Sequence, residues 1–329
     1  MASTRNAILS ALASAFVIAA AAQGVAQAQD YPTRLIKIVV PFPPGGNPDL
    51  AARLVANRMA IDFGQTVIIE NKPGANGGIG ASAVAKSAPD GYTLLVANLG
   101  ILGINPVVRE HLSYDIAKDF VPVSRLAISP LLLIAEPSLK VNSLAEFIAL
   151  AKKEPGKLSY SSAGVGSAAH MAAALFDQMA GTKMLHVPYK GASEAAPAVA
   201  SGNVSVTFGG QGASWGLVST GNVKALGLTG TKRSSEHPDV PTIAEQGVAG
   251  YEISDWAGML APAGTPQPII DKLNAEVQKA LADPDTRKKL ELQGLEAAGT
   301  SAKDFSAFIA SEQKKWGDVS KRANIRIQE

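Results

Sequence analysis

Three stretches of the chain share one plan: a short apolar run, a glycine-rich turn, then an alanine-rich segment with helical spacing. They are "IKIVVPFPPGGNPDLAARLVANRMA" from Ile36, "TVIIENKPGANGGIGASAVAK" from Thr66 and "KLSYSSAGVGSAAHMAAALFDQMAG" from Lys157. Ile36–Val40 is apolar at nearly every position and suits a strand buried on both faces of a parallel sheet. Its helix has clear bounds: Asn47 as N-cap, Pro48 at the first helical position and Gly64 as the stop. Leu50, Leu54, Val55 and Met59 fall on one face and should pack on the sheet.

The same alternation continues along the chain. Strands are expected at Thr66–Glu70, Tyr92–Asn98, Leu131–Ala135, Met184–Val187, Val204–Phe208 and Val223–Thr229. Ser143 with Glu146 forms a capping box for a helix to Lys153; Thr265-Pro266 opens a helix to Ala282, and Ser301 with Asp304 opens the last one. Strand and helix in turn define an α/β class with parallel sheets. With 329 residues and 47% hydrophobic content the chain fills two domains more readily than one. No polar linker divides it, so one domain is expected to be inserted into the other, with crossings near Leu126–Pro130 and Gly250–Asp255.

The first 28 residues read as a cleaved leader. Arg5 gives the positive end, Ala7–Ala22 is uncharged and apolar, and Ala26-Gln27-Ala28 fits a cleavage site, so the exported chain begins near Gln29. The apolar run is short for a membrane span. There is no cysteine, which excludes a lipid anchor on cysteine, a disulfide and a thiolate metal site. A net charge of +2 without a basic run argues against nucleic acid. A soluble periplasmic protein is expected.

The glycine turns are the candidate chemistry. A helix N-terminus presents unpaired N–H groups and partial positive charge, and glycine lets an anion come close. "PPGGNPD" lacks the Gly-Lys-Ser/Thr ending of a nucleotide-phosphate loop and the spacing of a dinucleotide fingerprint. Nucleotide binding is thus little supported; phosphate and carboxylate are the natural guests, with a purely structural turn the alternative. The turn at Gly164, Gly166 and Ser167 is a second such site, and two facing turns would hold a small acid between them. His170 can reach the ligand or steady its own loop; Asp49 is foremost a dipole partner that pairs with Arg53; Trp256 reads as core.

Catalysis finds less support. Gly212-Ala213-Ser214-Trp215-Gly216 matches a nucleophile elbow, but only His237 follows it, with Glu236 as the one acid between. A neighbour in sequence does not readily orient that ring. His111, His170, His186 and His237 show no zinc spacing, and neither a metal nor a cofactor is expected.

Several motifs taken together carry a resemblance. "PFPPGGNPDLAAR", "NKPGANGGIGA", "PDGYTLL", "YDIAKDFVPVSRLA", "SSAGVGSAAHMA", "VPYKGASEA", "VKALGLTGTKRS", "PDVPTIAEQG" and "WAGMLAPAGTP" span nearly the whole mature chain. With them the chain resembles the Bug-type solute-binding proteins of tripartite tricarboxylate transporters. The resemblance implies a two-lobed Venus-flytrap fold, each lobe a mostly parallel sheet flanked by helices. Lobe 1 would be 29–128 plus 254–329, and lobe 2 the inserted 129–253. It implies a monomer that captures a small carboxylate and delivers it to a membrane permease, without catalysis. The carboxylate would be held by backbone N–H groups. Carried onto this chain, the first anchor is Pro44, Gly45, Gly46 and Asp49 with Asn76 and Gly77. The second is Ala163, Gly164, Gly166, Ser167 and His170, beside Tyr189, Lys190 and Gly191.

Two departures stand out. Gly209 occupies a place where many relatives carry an aspartate, which predicts weaker selection for amino acids. "ANLGILGIN" is more apolar than the usual version of that loop, which favours a less polar ligand. An exported hydrolase using Ser214, or a sensor that presents its ligand to a receptor, are the rival functions.

Overall fold

Apolar runs of about five residues feed through glycine turns into helices along most of the chain, as the alternation predicts. A computed structural model describes residues 31–189 and 191–327; the leader expected at 1–28 and Lys190 lie outside them. The elements run β1 (Ile36–Val40), α1 (Asn47–Phe63), β2 (Val67–Asn71), α2 (Gly78–Ala85), β3 (Thr93–Asn98) and β4 (Phe120–Ala135). Then come α3 (Leu144–Lys153), β5 (Ser159–Ser162), α4 (Ala168–Ala180), β6 (Leu185–Pro188), α5 (Ala192–Ala200), β7 (Val206–Gly210), α6 (Gln211–Ser219) and β8 (Lys224–Leu228). The chain closes with β9 (Ser254–Pro262), α7 (Gln267–Ala282), α8 (Pro284–Glu291), β10 (Glu296–Ala297) and α9 (Ala302–Ala323).

The strand order is β2-β1-β3-β9-β4-β7-β5-β6, with β8 and β10 pairing β4 off that path. A parallel triplet sits at each end, β2-β1-β3 and β7-β5-β6. Between them β9 and β4 run antiparallel to their neighbours. The result is two α/β lobes joined through β4, with mixed rather than purely parallel sheets. β4 is 16 residues long, where only its last five were expected as strand. Pro122 and Pro130 hide the rest, since proline cannot donate to a ladder. The structure absorbs Pro122 with a register shift between Pro122 and Ser124. It uses Pro130 as the changeover: Phe120–Pro130 pairs with β9, whereas Leu131–Ala135 pairs with β7 and β8.

β9 had no strand expectation either. Gly258 interrupts its apolar pattern, and the reason is packing: a Cβ there would run into the Phe305 ring of α9. That helix lies across the sheet with Phe305 and Trp316 fully buried. Glu312 accepts from Trp256 Nε1 at 3.0 Å and Trp316 Nε1 at 3.1 Å, which satisfies a buried carboxylate and fixes both indoles. Trp256 is thus core, as read. A second core lies beneath α1 and α7, joining Val55 and Met59 to Ile36, Ile38 and Leu273. Leu50 and Leu54 are only partly buried; the face of α1 is completed by Ala51, Ala52 and Ala56 instead.

Helix starts follow the sequence closely. Ser143 Oγ accepts from Glu146 N at 3.2 Å, and Glu146 returns a bond to Asn142 N at 2.7 Å. Ser301 caps Asp304 N at 3.0 Å. At α1 the cap moves one residue back, to Gly46, and no side chain caps the helix. None of the helices among the described residues is long and apolar enough to cross a membrane.

Candidate functional site

In each lobe helices begin where parallel strands end, so their N–H groups collect at one edge of the sheet. At α1 the groups without an intrahelical partner are those of Gly46, Asn47 and Asp49, since Pro48 has none and Leu50 N bonds Gly46 O. Gly45 takes φ +88°, and no atom lies within 4 Å of where its Cβ would be. The space beside this turn is open, as close approach of a ligand to backbone requires.

Asp49 is the brace of that turn. It is 1% exposed; Oδ2 accepts from Gly45 N and Arg53 Nε, both at 2.9 Å, and Oδ1 from Asn71 Nδ2 at 2.8 Å. Asn71 also reaches Phe42 O at 3.0 Å, tying the end of β2 to the end of β1. Burial works to raise the Asp49 carboxyl, but the bonds from Arg53, Gly45 and Asn71 outweigh it and hold the group below its usual range. Both its oxygens are committed within the protein.

The neighbouring turns pack onto this one. A 3-10 turn at Ala75–Gly77 leads into α2, with Gly77 at φ +89°. A Cβ at Gly77 would collide with Ile101, and one at Gly80 would come within 2.7 Å of Pro41 Cβ. The three strand ends of the first lobe therefore touch, which places Gly77 beside Pro41 and the 44–46 turn.

The second lobe braces its turn without a charge. Ser162 Oγ accepts from Gly164 N at 3.1 Å and pairs with His186 Nε2 at 2.6 Å. Gly166 N donates to His170 Nδ1 at 3.1 Å, and Ser167 Oγ caps His170 N at 3.3 Å. The rings of Tyr160, His186 and His170 stack, with the two imidazoles 3.9 Å apart. Burial, helped by His186, pushes His170 down to about 3, and burial pushes His186 down to about 4. Both are neutral at pH 7, which leaves Nδ1 of His170 free to accept. The first-turn N–H groups of Ala168 and Ala169 remain without intrahelical partners. Tyr189 N bonds Ser162 O at 2.9 Å, and a Cβ on Gly164 would sit 3.7 Å from Tyr189 O, so Tyr189 lies alongside. His170 thus steadies its own loop, one of the two roles open to it.

At Gly209 the space a side chain would use is taken by Ser214 Oγ. Ser214 is 0% exposed and its hydroxyl has no hydrogen-bond partner. It lies one turn inside α6, which forms despite Gly212 and Gly216, where little helix was expected. His237 stacks on Trp215 at 3.6 Å, not on Ser214. A buried, unaccompanied hydroxyl is no nucleophile, and the elbow reading falls.

The lobes meet along α4 and α9, where Gln178 Nε2 donates to Val319 O at 3.0 Å, and at Lys315, which donates to Glu252 O at 2.7 Å. A Cβ on Gly166 would sit 3.2 Å from Ile327 Cδ1, 3.6 Å from Val108 Cγ2 and 3.8 Å from Ile104 Cγ2, all from the first lobe. On α6, a Cβ on Gly212 would sit 3.9 Å from Gln293 O. Near the crossing of β4 and β9 a small recess is lined by Asn47, Pro48, Ser129, Asp255, Trp256 and Leu295. Asp255 and Asn98 were not foreseen. The only sequence signal was an acid at the head of an apolar strand.

Two α/β lobes whose helix N-termini gather at the strand ends define the class of periplasmic solute-binding proteins. The chain belongs to the tripartite tricarboxylate transporter family receptors, which it matches over residues 51–325. It is 34% identical over 314 residues to Protein BugT of Bordetella pertussis, covering 95% of this chain and 96% of that one. An R. palustris protein solved with adipate superposes with a TM-score of 0.82 at 38% identity, covering 91% of this chain and 100% of its own. MatC of Rhodopseudomonas palustris with bound malate gives 0.76 at 34% identity, covering 88% and 99%.

Proposed function

We propose that the protein captures a small carboxylate between its lobes outside the cytoplasmic membrane and, as a monomer, passes it to a permease of the tripartite type. The observation that carries this is the uncapped start of α1, where Gly46, Asn47 and Asp49 offer N–H groups beside open space. A helix N-terminus of this kind favours an anion. The acids held by the two R. palustris relatives support the same ligand class. Lobe 1 is taken as 29–128 plus 254–329 and lobe 2 as 129–253, a division supported by the partner change of β4 after Pro130 and the start of β9 at Ser254. On this reading Pro44, Gly45, Gly46, Asn76 and Gly77 face Ala163, Gly164, Gly166, Ser167, His170, Tyr189 and Gly209 across the ligand. Gly45, Gly164 and Gly166 shape their turns, because their own N–H groups are bonded internally.

The test is a thermal-shift and calorimetric screen of the chain from Gln29 against C4 to C6 dicarboxylates, tricarboxylates and aromatic acids. A ligand at about 100 times its dissociation constant adds roughly 2.7 kcal/mol of stability. Gly46→Glu should abolish binding by blocking the approach and repelling the anion. An unchanged affinity in that variant would remove α1 from the site.

A further inference from the structure

Asp255 opens β9, where the crossing strands pass between the lobes. It is partly exposed at the crossing of β4 and β9. It lines the same small recess as Asn47 and Pro48, the first residues of α1. Its hydrogen-bond partners are few. Oδ1 accepts from Trp256 N at 3.0 Å, and Asn98 Nδ2 stands a long 3.5 Å from Oδ2. No ion pair reaches it among the described residues, whereas Asp49 has Arg53 and Glu252 has Lys315. Burial pushes its carboxyl up to about 6, against the bonds from Trp256 N–H, Asn98 and Leu99 N–H. At pH 7 it is a carboxylate whose donors are two backbone N–H groups and one long amide contact, with no cation beside it among the described residues.

We propose that Asp255 is the specificity residue of the cleft floor, selecting acids that carry a hydrogen-bond donor, ammonium or hydroxyl, next to the anchored carboxylate. The inference rests on the carboxylate-binding reading. An uncompensated carboxylate in a desolvated place gains most from a cation and next most from a neutral donor, and it repels a second bare anion. Asn98 Oδ1 is turned to Ile101 N at 3.4 Å, so its amide presents a donor and leaves the acceptor role to Asp255. On this proposal amino acids are selected for, against the weaker selection expected from Gly209 alone.

The experiment is calorimetric titration of matched acids: succinate, malate and aspartate, then glutarate, 2-hydroxyglutarate and glutamate. Wild type, Asp255→Asn and Asp255→Ser are compared, with circular dichroism to confirm folding. In wild type the hydroxy or amino acid of a series should bind at least tenfold tighter than the unsubstituted one. Asp255→Asn should erase the ammonium gain, since the charge is gone, yet keep part of a hydroxyl gain, since its amide oxygen still accepts. Asp255→Ser should lose both. Equal binding within each series in wild type, or a preference that survives both variants, overturns the proposal while leaving carboxylate binding intact. Failure of every acid, substituted or not, overturns the carboxylate reading and this inference with it.

Discussion

The two lobes solve one problem with different chemistry. Each must hold a glycine turn rigid so that a helix start faces the ligand. The first does it with a charge: Asp49, paired to Arg53 and bonded to Gly45 N and Asn71. The second does it with neutral acceptors, Ser162 Oγ and His170 Nδ1, backed by a stack of Tyr160 and two imidazoles. The difference follows from what surrounds each turn. Arg53 keeps 45% of its side chain in solvent, so a carboxylate there has a hydrated partner close by. His170 is 6% exposed, and a charge in its place would carry the full desolvation cost. An anion site is thus built either on a neutralised charge or on no charge, according to whether a half-hydrated cation stands beside the brace.

The comparison is broken most forcefully at Asp49. Asp49→Ala leaves Gly45 N, Arg53 and Asn71 without their acceptor, and bonds to a charged group are worth about 1.5–3 kcal/mol each. A loss of about 3 kcal/mol in urea unfolding is expected, with a steep fall in carboxylate affinity. Unaltered affinity would mean that the turn holds its shape unaided.

Acid sharpens the contrast between the lobes. An unfolded histidine titrates near pH 6.5, whereas folded His186 and His170 stay neutral to about 4 and about 3. The unfolded chain therefore binds more protons below neutrality, and this part of the stability declines as pH falls from about 6.5. Asp49 is lowered, so its contribution stays intact until pH drops below about 3.9. Asp255 is raised to about 6 and so favours folding as pH falls through that value, which blurs any global midpoint. Hydrogen exchange resolves the lobes: between pH 7 and 4.5, protection should fall in β5 and α4 before it falls in β1 and α1. His170→Phe keeps a ring on His186 but leaves Gly166 N–H without an acceptor, at about 2 kcal/mol, and should flatten the acid loss in β5 and α4.

The smallest effect is expected at Ser214. Its hydroxyl is buried with no partner, so Ser214→Ala removes an unsatisfied group and should be neutral or stabilising by up to about 1 kcal/mol. Ester turnover should be absent from both forms. A large destabilisation would point to a partner that the hydroxyl finds in another state of the lobes.

What could be read in the sequence was local. The β1–α1 and β5–α4 units carry their signals within some twenty-five residues: an apolar run, a glycine turn and a cap. Asp49 and Arg53 sit one helical turn apart, so their pairing was visible as well. The crossing strands were not legible. β4 hides behind Pro122 and Pro130, β9 is interrupted by Gly258, and their pairing joins distant parts of the chain, as in Ile128 with Trp256. Asp255 escaped for the same reason. Its character comes from Asn98, Trp256 and the start of α1, which only the folded chain assembles around it. Ser214 misled because a five-residue pattern says nothing about which way a hydroxyl points.

The antiparallel crossing also sets an order of events. β3 has β1 on one side and finds its other neighbour only in β9, as where Leu95 pairs with Leu260, and everything from α3 to β8 is synthesised in between. Until β9 arrives, β3 and the first half of β4 present bare edges, the kind of surface on which strands of other molecules pair. Long-range pairing of this sort also slows folding. A nascent chain therefore keeps these edges unpaired until most of its length has been made. A chain cut short before Ser254 would keep those edges and collect in aggregates.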